Sequence, residues 1–281
     1  VRLQCKTLAP YRYNCYKEVV MNKNLLISFD EYQKMPPNKV PYTYIISNGK
    51  QYLYYFGSKH SYDATLPQFV ELKAFFEEFV SKTEAKDRIV LIEGGGIPPI
   101  ADSEDLAITK YGEMGYVRYL SNKNHIDIYS PEPSRALMYK ELLKHFSREE
   151  IEYYFFASIV PQWIRMSQKP SFEEYVQGFL ERDKKESNWD DFDFSLENMK
   201  IIHKKLFNID FDTSDSQFSK KIVDPTKQFS IINDVVRFVS NYRNEYIVDE
   251  LERYWNEGKN VFVVYGSTHA VIQEPVLRTL E

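Results

Sequence analysis

The sequence predicts an α/β protein with a central, mostly parallel sheet, an N-terminal hairpin, flanking helices and a helical insertion. Three observations predict it. Short aromatic or β-branched runs alternate with helical periods, four of those runs stop in polar or glycine-rich loops, and one long central stretch is helical throughout.

The elements follow in order. Residues 1–20 carry no convincing helical or strand period, and Lys17 to Met21 can be encoded as a purine-rich ribosome-binding sequence followed by a start codon. The expectation is that 1–20 is a non-native or disordered leader and that 21–281 is a single α/β domain. Two strands, 42–47 and 51–56, flank Asn48-Gly49-Lys50, a strong hairpin signal. Phe69, Leu72, Phe75, Phe76 and Phe79 then recur at helical spacing across 66–82. A buried strand is expected at 88–92, a helix at 103–121 and another strand at 125–129. From Ser134 to about Leu206 the pattern is helical, with Ser147 and Ser171 each placed as a cap before acidic residues. The insertion is expected over about 147–228, its last part, 210–228, being a polar connector. A long helix over 230–256 closes at Gly258, and the last strand is 260–265.

Composition narrows the function classes. The 281 residues hold 36 basic and 41 acidic side chains, a net charge of −5, so there is no basic field to hold a phosphate backbone and nucleic acid is excluded as a partner. No window reaches the roughly 18 to 20 apolar residues of a membrane span. The N-terminus lacks the layout of a secretory signal. Both cysteines, Cys5 and Cys15, fall in the first fifteen residues, which suits a soluble protein of a reducing, cytoplasmic compartment.

Ligands of open α/β sheets bind at the carboxyl ends of strands. Here those ends are Gly57-Ser58-Lys59-His60, Glu93-Gly94-Gly95-Gly96, Pro131-Glu132-Pro133 and Gly266-Ser267-Thr268-His269. Two of five histidines, His60 and His269, share a glycine at −3 and a serine at −2. Although 209 residues apart, they could meet at one edge of a closed sheet. Imidazole there can ligate a divalent metal, carry a proton or simply finish a turn with a hydrogen bond. Glu93 could be a metal ligand, a general base toward water, a helix cap or an arginine's partner. Arg243 shares the apolar stripe of Val236, Val239 and Ile247. It either pairs with Glu93, Glu132 or a substrate anion, or reaches past the stripe to water. Glu113, on the stripe of Leu106, Val117 and Leu120, is either a site residue or solvated. His125, His145 and His203 read as surface or core. The aromatic run Tyr153 to Phe156 reads as helical core sooner than pocket lining.

In order, Tyr55-Phe56-Gly57-Ser58-Lys59-His60, Ile92-Glu93-Gly94-Gly95, Gly112-Glu113, Arg243-Asn244 and Val264-Tyr265-Gly266-Ser267-Thr268-His269 resemble the TraB/Tiki group of the erythromycin-esterase and ChaN-like superfamily. The resemblance spans roughly 42–269. It implies an α/β fold whose two Gly-x-x-His motifs and a glutamate converge on one site, associated with metal-dependent proteolysis in Tiki-like members and lactone hydrolysis in esterase-like ones. Carried over, His60, Glu93 and His269 become the catalytic or metal-binding set, and Arg243 and Glu113 match further motif positions. The serine and threonine between Gly266 and His269 depart from the commonest second motif.

The expected function is therefore a metal-dependent hydrolase, peptidase-like or esterase-like, acting on a small molecule or peptide. A divalent ion is its cofactor, and His60, Glu93, His269 and Arg243 form the catalytic set: the histidines, with Glu93 as a candidate third ligand, bind the ion, Glu93 activates water and Arg243 stabilises developing negative charge. Gly57, Ser58, Gly94, Glu113, Glu132, Gly266 and Ser267 contact ligand. The alternatives are a non-catalytic protein that binds a small ligand, metal or haem on the same fold, and a partner-binding module with a relic site.

Overall fold

A computed structural model describes residues 2–8, 12–166 and 169–281 of the chain. Val1 and residues 9–11 of the expected leader lie outside the described residues, as do the side chains of Cys5 and Cys15. Arg2–Leu8 (β1) and Arg12–Glu18 (β2) pair antiparallel, although the sequence there has no strand period.

The chain forms two compact units, 1–132 with 243–281, and 133–242. The first unit is the α/β part. After a single turn, Phe29–Tyr32 (α1), come Tyr42–Ser47 (β3), Tyr52–Ser58 (β4), Pro67–Lys82 (α2), Arg88–Ile92 (β5), Glu104–Lys123 (α3) and Ile128–Tyr129 (β6). The second unit contributes Arg135–Leu142 (α4), Arg148–Arg165 (α5), Phe172–Ser187 (α6), Leu196–Phe207 (α7), Ser216–Ile222 (α8) and the first half of Ile231–Asn256 (α9). The chain then returns to the first unit with the rest of α9, strand Asn260–Gly266 (β7) and Ser267–Leu277 (α10).

The sheet has the order β3-β4-β7-β5-β6; only β3 is antiparallel to its neighbour. Every residue of β7 is buried, which explains why 260–265 reads as a continuous apolar run without alternation. Successive side chains still go to opposite faces. Tyr55, Val261, Val263 and Tyr265 join Leu251 and Trp255 of α9 and Leu277 of α10. Tyr54, Phe56, Phe262 and Val264 join Leu72, Phe76 and Phe79 of α2 and Val117 of α3. The sheet is open, not closed. Because β7 lies between β4 and β5 and runs parallel to both, the carboxyl ends of these three strands are adjacent however far apart they are in sequence.

Two local expectations change. The stretch expected as a connector holds α8, capped by the Asp215 side chain accepting from Phe218 N–H and covering Ile222; at seven residues it is too short to show a period. The turns after β7 continue directly into α10, whose Ala270, Val271, Ile272, Val276 and Leu277 are all buried. Its first turn is the polar Ser267-Thr268-His269 motif, which reads in sequence as the end of a strand loop.

In the second unit Tyr153 and Phe156 are core, as their spacing implies, and His203 is buried with its Nδ1 2.6 Å from the Tyr153 hydroxyl. Glu152 is completely buried there and accepts from the Tyr139 hydroxyl at 2.8 Å. Burial, then the nearby Asp183 carboxylate, push its carboxyl up to about 8, so the folded chain keeps a proton that the unfolded chain gives up near pH 4.5. The resulting stability is full below that pH and is lost as pH rises through about 8. The Glu152→Gln variant should remove a slope of up to about 1.4 kcal/mol per pH unit, seen as a flatter dependence of melting temperature on pH between 5 and 8. An unchanged slope would mean that Glu152 is ionised when folded.

Candidate functional site

The register aligns the ends of the three central strands. Ser58 of β4 lies opposite Gly266 of β7, and Ile92 of β5 lies opposite Val264. The parallel ladder runs one residue further, Glu93 N–H donating to Val264 C=O at 3.0 Å. His60 follows β4 in a loop, Glu93 follows β5, and His269 occupies the first turn of α10, a helical setting in place of the expected loop.

Glu93 is the hub. Its Oε2 accepts from Gly266 N–H at 2.7 Å and faces His60 Nε2 at 3.5 Å. Its Oε1 accepts from Arg243 at 3.0 Å and faces His269 Nε2 at 3.6 Å. Arg243 also grips Glu132 with both Nε and Nη2, at 2.8 and 2.6 Å. Of the roles the sequence leaves open for Arg243, the structure therefore gives it two carboxylates. The Gly94 N–H lies 3.5 Å from Glu132 on the other side.

The opposite nitrogen of each imidazole is anchored. His60 Nδ1 makes a short contact to Glu113 Oε1, and that buried carboxylate also accepts from the Ser58 hydroxyl at 3.0 Å and Ser61 N–H at 3.3 Å. Glu113 reaches this position because Gly112, with φ +63°, breaks α3 in a conformation that side chains rarely adopt. The residue is thus a site partner and not a solvated stripe edge. His269 Nδ1 lies 2.8 Å from Asn244 Oδ1, which also accepts from Gln273 Nε2; Gln273 Oε1 in turn accepts from the Tyr55 hydroxyl. Since that Oδ1 is an acceptor, His269 carries its proton on Nδ1 and turns the Nε2 lone pair toward Glu93.

The electrostatics match this arrangement. Burial works against charging Glu93, yet His269, Arg243, His60 and the Gly266 N–H hold its carboxyl down at about 2. Burial also pushes His269 down to about 4, against the pull of Glu93. At neutral pH an ionised carboxylate therefore meets a neutral imidazole, lone pair to anion, an arrangement that a cation between them relieves. His60 keeps half of its side chain exposed, 52% against 13% for His269, so the site opens to solvent on that side.

Several contributors carry no motif of their own. Asn244 is visible only as the neighbour of Arg243, and Gln273 lies four residues after His269 on one helix face. Gln68 fixes the His60 loop by bonding both Lys59 N–H and Lys59 C=O. Of the expected ligand contacts, Gly57 is a packing residue between β3 and α10, and Ser58 is buried under Glu113. Ser267 opens α10.

Two ligand atoms about 2.1 Å from a tetrahedral ion stand about 3.4 Å apart. His60 Nε2 and His269 Nε2 lie at 3.5 and 3.6 Å from different oxygens of Glu93, each of which already accepts a hydrogen bond, Oε2 from Gly266 N–H and Oε1 from Arg243; either histidine with its facing oxygen has the spacing of a ligand pair. Each imidazole has the outer partner that metal-binding histidines ordinarily have. The Asn244 Nδ2 and Tyr265 hydroxyl groups are buried without a hydrogen-bond partner among the described residues. Among the described residues, no group of three or more His, Cys, Asp or Glu side chains is arranged to hold a metal ion. Nor is any helix among the described residues long and apolar enough to cross a membrane.

The chain matches no family model, no curated protein and no solved structure. Fold and site together define an α/β protein with two histidines and a carboxylate at the carboxyl ends of its central strands.

Proposed function

We propose that this protein is a metal-dependent hydrolase, peptidase-like or esterase-like, of the TraB/Tiki kind its motifs resemble. The observation that carries the reading is the pair of imidazole Nε2 atoms facing the two oxygens of one carboxylate, each imidazole anchored through Nδ1. His60, His269 and Glu93 would hold the ion. When bound, it would supply Lewis-acid polarisation of a scissile carbonyl. Glu93, held near 2, suits a charged ligand better than a proton carrier, which favours metal ligand over general base. Arg243 fixes Glu93 and Glu132 together, and Asn244 holds His269 in the tautomer that presents Nε2. The sparse cysteine usage favours action in a reducing cytoplasmic compartment.

Hydrolysis of a panel of peptides, esters and lactones, by chain stripped with chelator and then reloaded with manganese, cobalt or zinc, tests the reading. Turnover should appear only on reloading and disappear in His269→Ala. A second reading, a non-catalytic binder of a metal, haem or small ligand, draws on the full engagement of Arg243 by two carboxylates. It prevails if the metal binds and the whole panel stays intact.

A further inference from the structure

We propose that the cleft beside the site receives a cationic side chain on an aliphatic stem, a lysine or arginine of a peptide or an equivalent amine. A cleft of about 500 Å³ is lined by Tyr129, Tyr246 and Tyr254, by the carboxylates Glu132 and Glu250, and by residues 95–97 of the loop after Glu93. Through Glu132, which shares Arg243 with Glu93, it is continuous with the site.

Two features select the occupant. The first is charge. Two carboxylates, Glu132 and Glu250, line the cleft, and Arg253 is shared by Glu250 and Glu257. On that side there is one carboxylate more than there are cations, and a neutral or anionic group would leave the excess uncompensated. The second is the wall. The Tyr129 ring, 45% exposed, stands 6.1 Å from Tyr254 at 36°. The Arg253 guanidinium already lies 3.9 Å from the centre of the buried Tyr254 ring, which leaves the exposed Tyr129 ring to receive a further cation on its face. Methylenes against the tyrosines, with the charged end among the carboxylates, satisfy both.

As a substrate subsite the assignment rests on the hydrolase reading; as a binding site it does not, and the test keeps them apart. N-acetyl-arginine amide, N-acetyl-norleucine amide and N-acetyl-glutamate amide are titrated into the full chain by calorimetry. The arginine amide should bind at least about fivefold more tightly than the norleucine amide, and the glutamate amide most weakly. Glu250→Gln should reduce that preference, Tyr129→Ala should weaken both of the tighter probes, and His60→Ala should change neither. Retention in His60→Ala supports the subsite even if no hydrolysis is ever found. Equal binding of the three probes, no binding of the arginine amide, or a preference untouched by both cleft variants overturns it.

Discussion

Arg243→Met should destabilise the protein by about 3–5 kcal/mol, the cost of removing one member of a buried ion pair. Two carboxylates, 15% and 8% exposed, share this one guanidinium. Methionine fills much of the same volume but leaves Glu93 and Glu132 facing each other without a cation. For a chain of this size the loss corresponds to a fall in melting temperature on the order of 10 °C. The burial that opposes charging Glu93 would then act with less opposition, so the carboxyl rises from about 2 and the variant regains stability as pH falls toward 5. Adding Glu132→Gln should restore part of the loss at neutral pH. A melting temperature within a degree or two of the parent would mean that Arg243 reaches solvent instead.

Gly57→Ala should cost about 1–3 kcal/mol as overpacking and damage the site more than so small a change suggests. A methyl group there would lie 2.7 Å from Ala270 Cβ, 2.8 Å from Tyr42 O and 3.0 Å from Ser267 Cα. Two of those three atoms are backbone, so strand β4 and helix α10 must part. His60 follows that strand and His269 lies in the first turn of that helix, so separating them spoils the spacing around Glu93. Metal affinity should fall together with melting temperature. A variant that binds metal as well as the parent would show that the β4 to α10 contact does not set the site.

The legible part of the site was the part written in backbone chemistry. Gly57 and Gly266 precede the two histidines at equal spacing, Glu93 opens a run of three glycines, and Arg243 interrupts an apolar stripe where a charge needs a partner. Those signals brought His60, Glu93, His269, Arg243 and Glu132 into consideration, and the structure gathers all five. Strand order was not legible. Nothing local says that β7 inserts between β4 and β5, because that choice is made by long-range burial on both sheet faces. Gln273 escaped, and Asn244 and Tyr55 stood in quoted motifs without a role, for a related reason: the amides and phenol of a hydrogen-bonded chain that anchors a histidine are recognisable only once the histidine is in place. α10 was hidden because its first turn, Ser267-Thr268-His269, reads as a strand-end loop, and α8 by its length. The break at Gly112 reads in sequence as one glycine in a helical period, and only its conformation reveals why Glu113 sits beneath His60.

The most direct measurement is the metal content of the full chain after equilibrium dialysis against manganese, cobalt or zinc, read by elemental analysis. One ion per chain is expected, and none in the double variant His60→Ala, His269→Ala, with the metal-free melting temperatures of the two proteins close together. A parent chain that binds no ion, or a double variant that retains it, would contradict a metal site formed by the two histidines and Glu93.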